Sequence, residues 1–459
     1  MVKVADKIID GILWPVFHYH ANDMAFEEEP WDAYVEVNRI FSERVAQDVK
    51  DNDIVWVHDY HLMLMPQMLL EELGKLNKTV KNLKIGFFLH IPFPSSQEFF
   101  KLPYRNDILR ALLASDLIGF HTYDYARHFL SACHKALGLD TFPSGVRYKG
   151  RTIHVGAFPI GINPEKELNA IKQDKVQQRI QQMREGTFKD RSVIVSVDRL
   201  DYIKGLAHKF HAFDMFLEAN KDQVGKAVLL QIVVPSRQDV KEYQVLRSHI
   251  SELAGRINAK YGNIDYQPIV YRYTSVSHDE LVALYGIAEV CLVTSTRDGM
   301  NLVSYEYIAC QQEGHGQLVV SEFAGAAQSM KGCIIINPWD IGETMDGLRT
   351  ALTLTPKERE ANWKKMWDYV DKYTSAAWGM SFIDELTRIG EVYSEVIPRV
   401  RPREPSDNLD GAADEVSRLD MNEVSNQPVI DKGEVLTNGD VAHHAESVAP
   451  VTVNGVAAS

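Results

Sequence analysis

The chain has 459 residues, 45 % of them hydrophobic, which is enough to bury two substantial cores. Its formal net charge of -14 argues against nucleic acid or an anionic membrane as the main partner, because both attract basic surfaces. Four scattered cysteines without a CxxC pair argue against a disulfide framework or a cysteine zinc site. The sequence has no apolar run long enough to span a membrane and no secretory signal at its start, so we expect a cytoplasmic protein.

Up to about residue 400, short apolar runs alternate with longer amphipathic stretches, a rhythm typical of parallel sheets covered by helices. The predicted strands lie at 54–57, 85–89, 117–120, 153–157, 193–197, 228–233, 290–294, 317–320 and 334–336. Between the fifth and the sixth, Leu206, Phe210, Phe213 and Leu217 recur at helical spacing and predict an apolar helix face. The sequence therefore predicts an α/β fold.

A stretch rich in Pro, Gly and Asn at 158–166 (FPIGINPEK) predicts a hinge between two such sheets, near residue 162. The segment 401–459 has eleven acidic residues against four basic ones and no Phe, Trp or Tyr. Such a segment buries too little apolar surface to offset its ordering entropy, so we predict a disordered acidic tail.

Polar residues follow two predicted strands of the first half. His58 and Asp59 come after the strand at 54–57, and His90 comes after the strand at 85–89. Neutral histidine and ionised aspartate at strand ends suit the recognition of sugar hydroxyls. We therefore expect a sugar to bind at this edge of the first sheet.

The histidines also allow a metal interpretation. Two pairs are close in sequence, His18 with His20 on a strand face and His58 with His61 on a helix face. Neither pair has an obvious third ligand, so packed or hydrogen-bonded histidines are the competing interpretation. We therefore predict that the protein holds no metal.

Three cationic residues lie in loops after predicted strands of the second half. In VIVSVDRLDYIKG, Arg199 can bind phosphate oxygens bidentately and Lys204 adds a point charge. In LLQIVVPSRQDVKEY, a strand ends just before Arg237. Ligands of open parallel sheets bind at this edge, so we predict that these cations hold phosphate groups. The alternative is surface ion pairing, of Arg199 with Asp201 and of Arg237 with a nearby acid.

The segment VCLVTSTRDGMNLVSYEYIACQQ reads as a buried strand, a tight loop and a helix. Backbone N–H groups at that helix start, 299–302, would be unpaired and suit a diphosphate. Glu306 lies about a turn and a half into the helix, where its carboxylate could accept hydrogen bonds from a ribose diol. An Asp-Gly turn followed by an ordinary surface glutamate is the alternative. The dinucleotide-binding and P-loop glycine motifs are both missing, which gives those enzyme classes no support.

Seven motifs stand out by their order and spacing: ILWPVFHYH, VWVHDYHLM, FFLHIPFPSS, GFHTYDYARHF, VDRLDYIKG, VPSR and STRDGMNLVSYEYIA. From about residue 11 to about residue 399, the chain resembles the trehalose-6-phosphate synthases. The sequences of its motifs are most similar to those of fungal members. The resemblance implies the GT-B architecture, with two Rossmann-like domains facing across a cleft. An acceptor-side domain would span 1–162, a nucleotide-sugar domain 163–365, and C-terminal helices at 366–400 would pack back on the first domain.

The resemblance implies transfer of glucose from UDP-glucose to glucose 6-phosphate with retention of configuration and without a metal or other cofactor. It also implies a trehalose-phosphate phosphatase and regulatory subunits as protein partners. Residues that would contact the donor are Arg199, Lys204, Val276, Asp298, Gly299, Met300, Asn301, Leu302, Val303 and Glu306. Residues that would contact the acceptor are Trp14, Asp59 and Arg237, and the catalytic residues would be Asp59, His90, Arg199 and Lys204.

One departure from the family pattern concerns the start of the chain. Relatives carry a Rossmann strand, a Gly-rich donor loop, an early Arg and a Tyr before the ILWP motif, whereas Trp14 here lies close to the first residue. We therefore expect a first domain without its leading strand and Gly-rich loop, and with an unpaired sheet edge. Two alternatives to an active enzyme follow: a noncatalytic regulatory or scaffold subunit of a trehalose synthase complex, or a fragment with impaired catalysis.

Overall fold

The computed structural model describes residues 2–20, 28–238 and 240–393, and within them the strands form two six-stranded sheets. The first sheet contains β1 (Ile54–His58), β2 (Lys84–Phe88), β3 (Leu117–Phe120), β4 (Thr141–Phe142), β5 (Gly145–Tyr148) and β6 (Arg151–Ala157). The second contains β7 (Ser192–Arg199), β8 (Ala227–Val234), β9 (Ile269–Tyr273), β10 (Val290–Val293), β11 (Gln317–Ser321) and β12 (Ile334–Ile336). The predicted α/β class is confirmed, and every predicted strand is present.

Helices connect the strands and cover the sheets. They are α1 (Val2–Ile8), α2 (Trp14–Phe17), α3 (Glu28–Asp48), α4 (Met65–Lys75), α5 (Ser96–Phe99), α6 (Arg105–Leu112), α7 (Tyr123–Leu137), α8 (Pro164–Ile171), α9 (Asp174–Glu185), α10 (Leu206–Ala219), α11 (Lys241–Tyr261), α12 (His278–Ile287), α13 (Leu302–Ala309), α14 (Ala326–Ser329), α15 (Ile341–Thr353), α16 (Pro356–Lys372) and α17 (Ser375–Tyr393). A π-helical turn, Ile9–Leu13, joins α1 to α2. Among the described residues, no helix is long and apolar enough to cross a membrane.

The first sheet has the strand order β1-β2-β3-β6-β5-β4. β1, β2, β3 and β6 are parallel, as predicted, whereas β4, β5 and β6 form an antiparallel meander that was not predicted. β4 (TF) and β5 (GVRY) are short and are not continuous apolar runs, so the sequence pattern does not reveal them. His58 pairs with Phe88 in the parallel register, so the loops that follow β1 and β2 leave the sheet side by side.

The second sheet is entirely parallel and has the order β12-β11-β10-β7-β8-β9. The chain runs outward from β7 to β9 and then returns to the other side of β7 as β10. The connections after β7 and β10 therefore leave in opposite directions, and doubly wound sheets bind ligands in the crevice that this reversal creates. β9 is a strand that was not predicted.

Both faces of the second sheet are buried against helices. Val195 and Val293 belong to one apolar cluster, whereas Ile194 and Leu292 belong to the other. This alternation follows from the two-residue period of a strand. The predicted apolar face of α10 is confirmed, since its four residues are all buried.

The last two helices pack on different sheets. Trp363 of α16 donates its indole N–H to the carbonyl of Ile308 in α13, whereas Phe382 of α17 stacks on Trp56 of β1, with ring centroids 4.4 Å apart. Next to the predicted hinge, the amide of Ser375 donates to the carbonyl of Ile162 over 2.8 Å. The domain boundaries remain predictions. The one at residue 366 falls inside α16, and the predicted tail at 401–459 lies outside the described residues.

Candidate active site

Two loops of the second sheet are joined by an ion pair at the crevice between β7 and β10. Lys204 Nζ lies 2.6 Å from Asp298 Oδ2. Gly205 permits this contact, because its φ is +63° and a Cβ there would lie 2.0 Å from the carbonyl oxygen of Thr294. Arg199, at the end of β7, is exposed and forms no ion pair within the described residues. One free cation and one paired cation therefore face the crevice.

Asp298 is held as a carboxylate. Burial by itself would raise its pKa, but the Lys204 ammonium and hydrogen bonds from Asn301 and Ser295 keep the pKa of Asp298 below its ordinary value. Asn301 Nδ2 and Ser295 Oγ each lie 3.1 Å from Oδ2 of Asp298. A largely buried acceptor with a fixed position suits a sugar hydroxyl.

The loop after β10 leads directly into the start of α13. Asn301 has a φ of 74° and caps the helix, with Oδ1 accepting from the amide of Ser304 over 3.2 Å. The amides of Leu302 and Val303 precede the first intrahelical hydrogen bond and have no acceptor among the described residues. Gly299 and Met300 complete this loop and are buried. Two amide donors at this helix N-terminus are thus unpaired, as predicted, and the anion they would bind remains a prediction.

Glu306 and Val276 lie at the same edge of the second sheet. The carboxylate of Glu306 accepts a 3.2 Å hydrogen bond from the hydroxyl of Tyr285, and burial, reinforced by nearby Glu167, raises the pKa of Glu306. Val276 lies in the loop between β9 and α12. Glu306 is therefore not the ordinary surface glutamate of the alternative interpretation.

Asp59 of the first sheet has an unusual backbone conformation. Its φ is 68° and its ψ is 172°, a region that is costly for any residue with a Cβ. The strain is held by two hydrogen bonds: the Asp59 amide donates to Phe88 O over 2.8 Å, and Asp59 Oδ1 accepts from the amide of His90 over 3.2 Å. Burial raises the pKa of Asp59. Such strain at a strand end is typical of a functional position.

His90 lies in a cluster of aromatic side chains. Its Nε2 is 3.1 Å from Nδ1 of His58, so one ring donates and the other accepts. Burial, with the neighbouring His58, lowers the pKa of His90 to about 4. Trp378 of α17 packs against His90, with ring centroids 5.7 Å apart. His90 is therefore neutral near pH 7 and suits hydrogen bonding to a sugar rather than acid catalysis.

The two sheets touch where these loops end. A Cβ on Gly299 would lie 2.2 Å from the carbonyl oxygen of His90, so only glycine allows the two loops to approach this closely. On the other side, the hydroxyl of Tyr125 donates to the carbonyl of Asp298 over 3.1 Å. The structure thus brings Asp59 and His90 next to the loop that starts α13.

Trp14 connects the cations of the second sheet to the first sheet. Its ring lies under two guanidinium groups, 4.3 Å from that of Arg237 and 5.7 Å from that of Arg199. It also lies 5.9 Å from the ring of Tyr60, the residue after Asp59. Trp14 Nε1 is buried without an acceptor among the described residues. A buried donor without a partner, beside two arginines, indicates a place for a ligand.

Arg237 is held by several neighbouring groups. Its φ is 43°, in the left-handed region, and its guanidinium contacts Asp10, Asp201 and the hydroxyl of Tyr243. The alternative interpretation, in which Arg237 pairs with a nearby acid, thus describes part of its surroundings. Asp10 and Tyr243 were not predicted as site residues. The signal for Asp10 was its position four residues before Trp14, which corresponds to about one helical turn.

The two histidine pairs considered for zinc do not form a metal cluster. Among the described residues, no group of three or more His, Cys, Asp or Glu side chains is placed to hold a metal ion. The strand-face interpretation of His18 and His20 is wrong, since His18 ends the short helix α2 and its Nδ1 bonds to the carbonyl of Trp14 over 2.9 Å. Burial lowers the pKa of His18 to about 3.

Known proteins resemble this chain over most of its length. An alpha,alpha-trehalose-phosphate synthase (UDP-forming) of Emericella nidulans is 54 % identical over 400 residues, which cover 86 % of this chain and 79 % of that protein. The 56 kDa subunit of the enzyme of the same name from Saccharomyces cerevisiae is 52 % identical over 388 residues, covering 84 % of this chain and 78 % of the relative.

A solved structure shares the fold. It is an alpha,alpha-trehalose-phosphate synthase (UDP-forming) from Burkholderia xenovorans in complex with glucose-6-phosphate, 34 % identical, with a TM-score of 0.78 over 84 % of this chain and 83 % of that one. The predicted GT-B type of fold is confirmed by this likeness. The model of glycosyltransferase family 20 matches residues 2–388. The chain therefore belongs to glycosyltransferase family 20.

Proposed function

We infer that this chain is a retaining glucosyltransferase that moves glucose from UDP-glucose to glucose 6-phosphate, giving trehalose 6-phosphate and UDP. The observation that carries this inference is the position of Trp14. Its ring contacts both Arg199 and Arg237, and its buried N–H has no acceptor among the described residues. Two cations thus lie against one aromatic ring, one available to a donor diphosphate and the other to an acceptor phosphate.

On the donor side, the free amides of Leu302 and Val303 and the guanidinium of Arg199 would hold the diphosphate. Lys204, now paired with Asp298, would share its charge with the phosphate oxygens. Asp298 would accept a hydrogen bond from a glucose hydroxyl. These groups would stabilise the negative charge that develops on the leaving diphosphate.

Two more residues would fix the nucleoside. Glu306 would accept hydrogen bonds from the ribose, and the backbone of Val276 would contact the uracil. Both lie at the carboxyl edge of the second sheet, as the diphosphate site does. The donor would therefore lie along this edge.

On the acceptor side, Arg237 and the indole N–H of Trp14 would face the phosphate of glucose 6-phosphate. Asp59 would accept a hydrogen bond from the sugar, and neutral His90 would contact the donor glucose. In the transfer step, the bond from the glucose anomeric carbon to the diphosphate oxygen breaks while the acceptor hydroxyl oxygen bonds to the same face of that carbon. The hydroxyl proton passes to the departing diphosphate oxygen, which balances the reaction.

We further propose that no metal takes part, since arginine, lysine and backbone amides supply the positive charge at the diphosphate. The yeast relative is named as a subunit, which supports a proposal that this chain also works beside a trehalose-phosphate phosphatase and regulatory subunits. A cytoplasmic location is part of the same proposal.

The test is UDP release by the purified chain. We expect release that requires both UDP-glucose and glucose 6-phosphate and that persists in excess EDTA, and we expect an α-configured product by NMR. A noncatalytic subunit or impaired fragment would release no UDP. UDP release without glucose 6-phosphate would indicate a hydrolase, and inhibition by EDTA would contradict the metal-free proposal.

A further inference from the structure

The guanidinium of Arg237 is divided between two carboxylates. Its Nε donates to Asp10 Oδ1 over 2.7 Å, and its Nη1 donates to Asp201 Oδ2 over 3.1 Å and to the hydroxyl of Tyr243 over 2.8 Å. Its Nη2 has no acceptor among the described residues. Nε and Nη2 form the edge through which arginine binds phosphate or carboxylate with two parallel hydrogen bonds. Asp10 therefore occupies half of the edge that a phosphate would use.

The two carboxylates differ in how firmly they are held. Asp201 is fully buried, and its Oδ1 also accepts from the amide of Ile203, which fixes the turn after β7. The Asp10 side chain is 33 % exposed, and within the described residues its carboxylate contacts Arg237 alone. Asp10 can therefore be displaced at a much lower cost than Asp201.

The position of Asp10 follows from the first helical segment. Asp10 lies in the π-helical turn, and Trp14 begins α2 about one turn later. The two side chains thus reach Arg237 together: Asp10 accepts from its Nε, and the Trp14 ring centroid lies 4.3 Å from its guanidinium carbon. Asp10 places a carboxylate beside the two donors assigned to the acceptor phosphate.

We propose that the Asp10 carboxylate occupies the acceptor-phosphate subsite and must be displaced when glucose 6-phosphate binds. This proposal rests on the proposed function, in which Arg237 binds the acceptor phosphate. Because the carboxylate and the phosphate are both anions, they cannot share one edge of Arg237 without repulsion. Asp10 thus weakens acceptor binding selectively and sets the concentration of glucose 6-phosphate at which the enzyme works.

The kinetic test compares Asp10→Asn with Asp6→Asn, a matched change on an exposed residue of the same helical segment. Asparagine keeps the shape of Asp10 and removes its charge. We expect Asp10→Asn to lower the KM for glucose 6-phosphate about tenfold while the KM for UDP-glucose changes less than twofold, and Asp6→Asn to change neither. An unchanged or raised KM for glucose 6-phosphate would overturn the proposal.

A binding measurement separates this proposal from the proposed function. Inorganic phosphate is titrated calorimetrically into each full-length variant with saturating UDP, and Asp10→Ser serves as a second charge-removing variant should Asp10→Asn not fold. Phosphate binding about tenfold tighter than in the wild type supports the role of Asp10. This holds even if no variant releases UDP, a separate result that would contradict the proposed function. Equal or weaker phosphate binding overturns the role of Asp10 whatever the activity.

Discussion

On the second sheet, the charged side chains of the donor site come from the end of β7, from the loops after β7 and β10 and from α13, and Lys204 and Asp298 pair across the two loops. On the acceptor side, Asp10 and Trp14 come from a helical segment that precedes both sheets, and Asp10 reaches an arginine 227 positions away in the chain. The donor side is thus formed at the carboxyl edge of one sheet, whereas the acceptor side depends on packing between segments that are distant in the sequence. We therefore expect substitutions to affect the two sides differently.

The largest expected effect is on the free energy of unfolding, through the buried polar network that joins α10 to β7 and β8 on the donor side. Lys209 of α10 is fully buried, and its ammonium bonds to Asp198 Oδ2 at 2.5 Å, to Gln231 Oε1 at 3.0 Å and to Ser196 Oγ. Lys209→Met should lower the free energy of unfolding by about 3–5 kcal/mol, because it leaves a buried carboxylate without its partner. Urea unfolding measures this.

The control for that variant is Lys221→Met, which removes a lysine from an exposed pair with Glu218. We expect little change in its urea midpoint, because exposed pairs contribute little to stability. A Lys209→Met protein as stable as the wild type would show that this buried network does not support β7 and β8.

The next effect separates the two substrates. Arg199→Ala should raise the KM for UDP-glucose, and Arg237→Ala should raise that for glucose 6-phosphate, each by about a hundredfold, since each removes charged hydrogen bonds to one phosphate group. Steady-state kinetics with each substrate varied in turn measures both. Equal losses for both substrates in each variant would contradict the division into a donor side and an acceptor side.

A smaller effect is expected where the two sides meet. Gly299→Ala should lower kcat/KM about tenfold, because the added Cβ would clash with the carbonyl of His90 and separate the loops. Gly255→Ala is the matched control, since a Cβ in that position of α11 meets nothing within 4 Å. Full activity of Gly299→Ala would mean that the close approach of the loops is not required.

The smallest effect for a single residue concerns pH, and the three histidines with the largest shifts lie beside the first sheet. Burial lowers the pKa of His18 to about 3, of His90 to about 4 and of His121 to about 3. Below pH 6.5 these histidines take up protons in the unfolded state but not in the folded state, so stability falls as the pH drops towards their folded pKa values. From pH 6.5 to about 5.5, each should cost about 1 kcal/mol.

Urea unfolding at a series of pH values checks this, and His121→Gln should make the dependence shallower. The series should avoid strongly acidic pH, because the raised pKa values of Asp59, Asp201 and Glu306 make protonation there stabilise the folded state, the opposite effect. A free energy of unfolding that stays constant or rises from pH 6.5 to 5.5 would contradict the neutral state of these rings.

The donor side was largely predictable because its information is local. A buried strand, a loop with Gly299 and a capped helix follow one another within one short segment, and the periodicity of the strands places that loop at the ligand-binding edge. β9 and the β4–β5 hairpin were not predicted, since short or partly exposed strands give a weak pattern. Which residue pairs with Lys204 could not be predicted from its own segment.

The acceptor side was less predictable because its contacts are long-range. Trp14 entered only through the resemblance to a family, whereas Arg237 was predicted from its place after a strand and assigned to the acceptor only through the resemblance. The signal for Asp10, its place about one helical turn before Trp14, can be interpreted only once its segment is known to be helical and to lie beside Arg237. Lys209 reads as an ordinary surface lysine in the sequence, and only the tertiary packing buries it among polar partners.

The central claim is that a donor diphosphate and an acceptor phosphate bind on either side of Trp14. A crystal structure of the chain with UDP and glucose 6-phosphate tests this most directly. We predict the diphosphate at the amides of Leu302 and Val303 beside Arg199, and the sugar phosphate within hydrogen-bond distance of Arg237 with Asp10 displaced. Glucose 6-phosphate bound elsewhere, for example in the cavity of about 670 Å³ beside Ser192 and Lys226 at the opposite edge of the second sheet, would contradict the account.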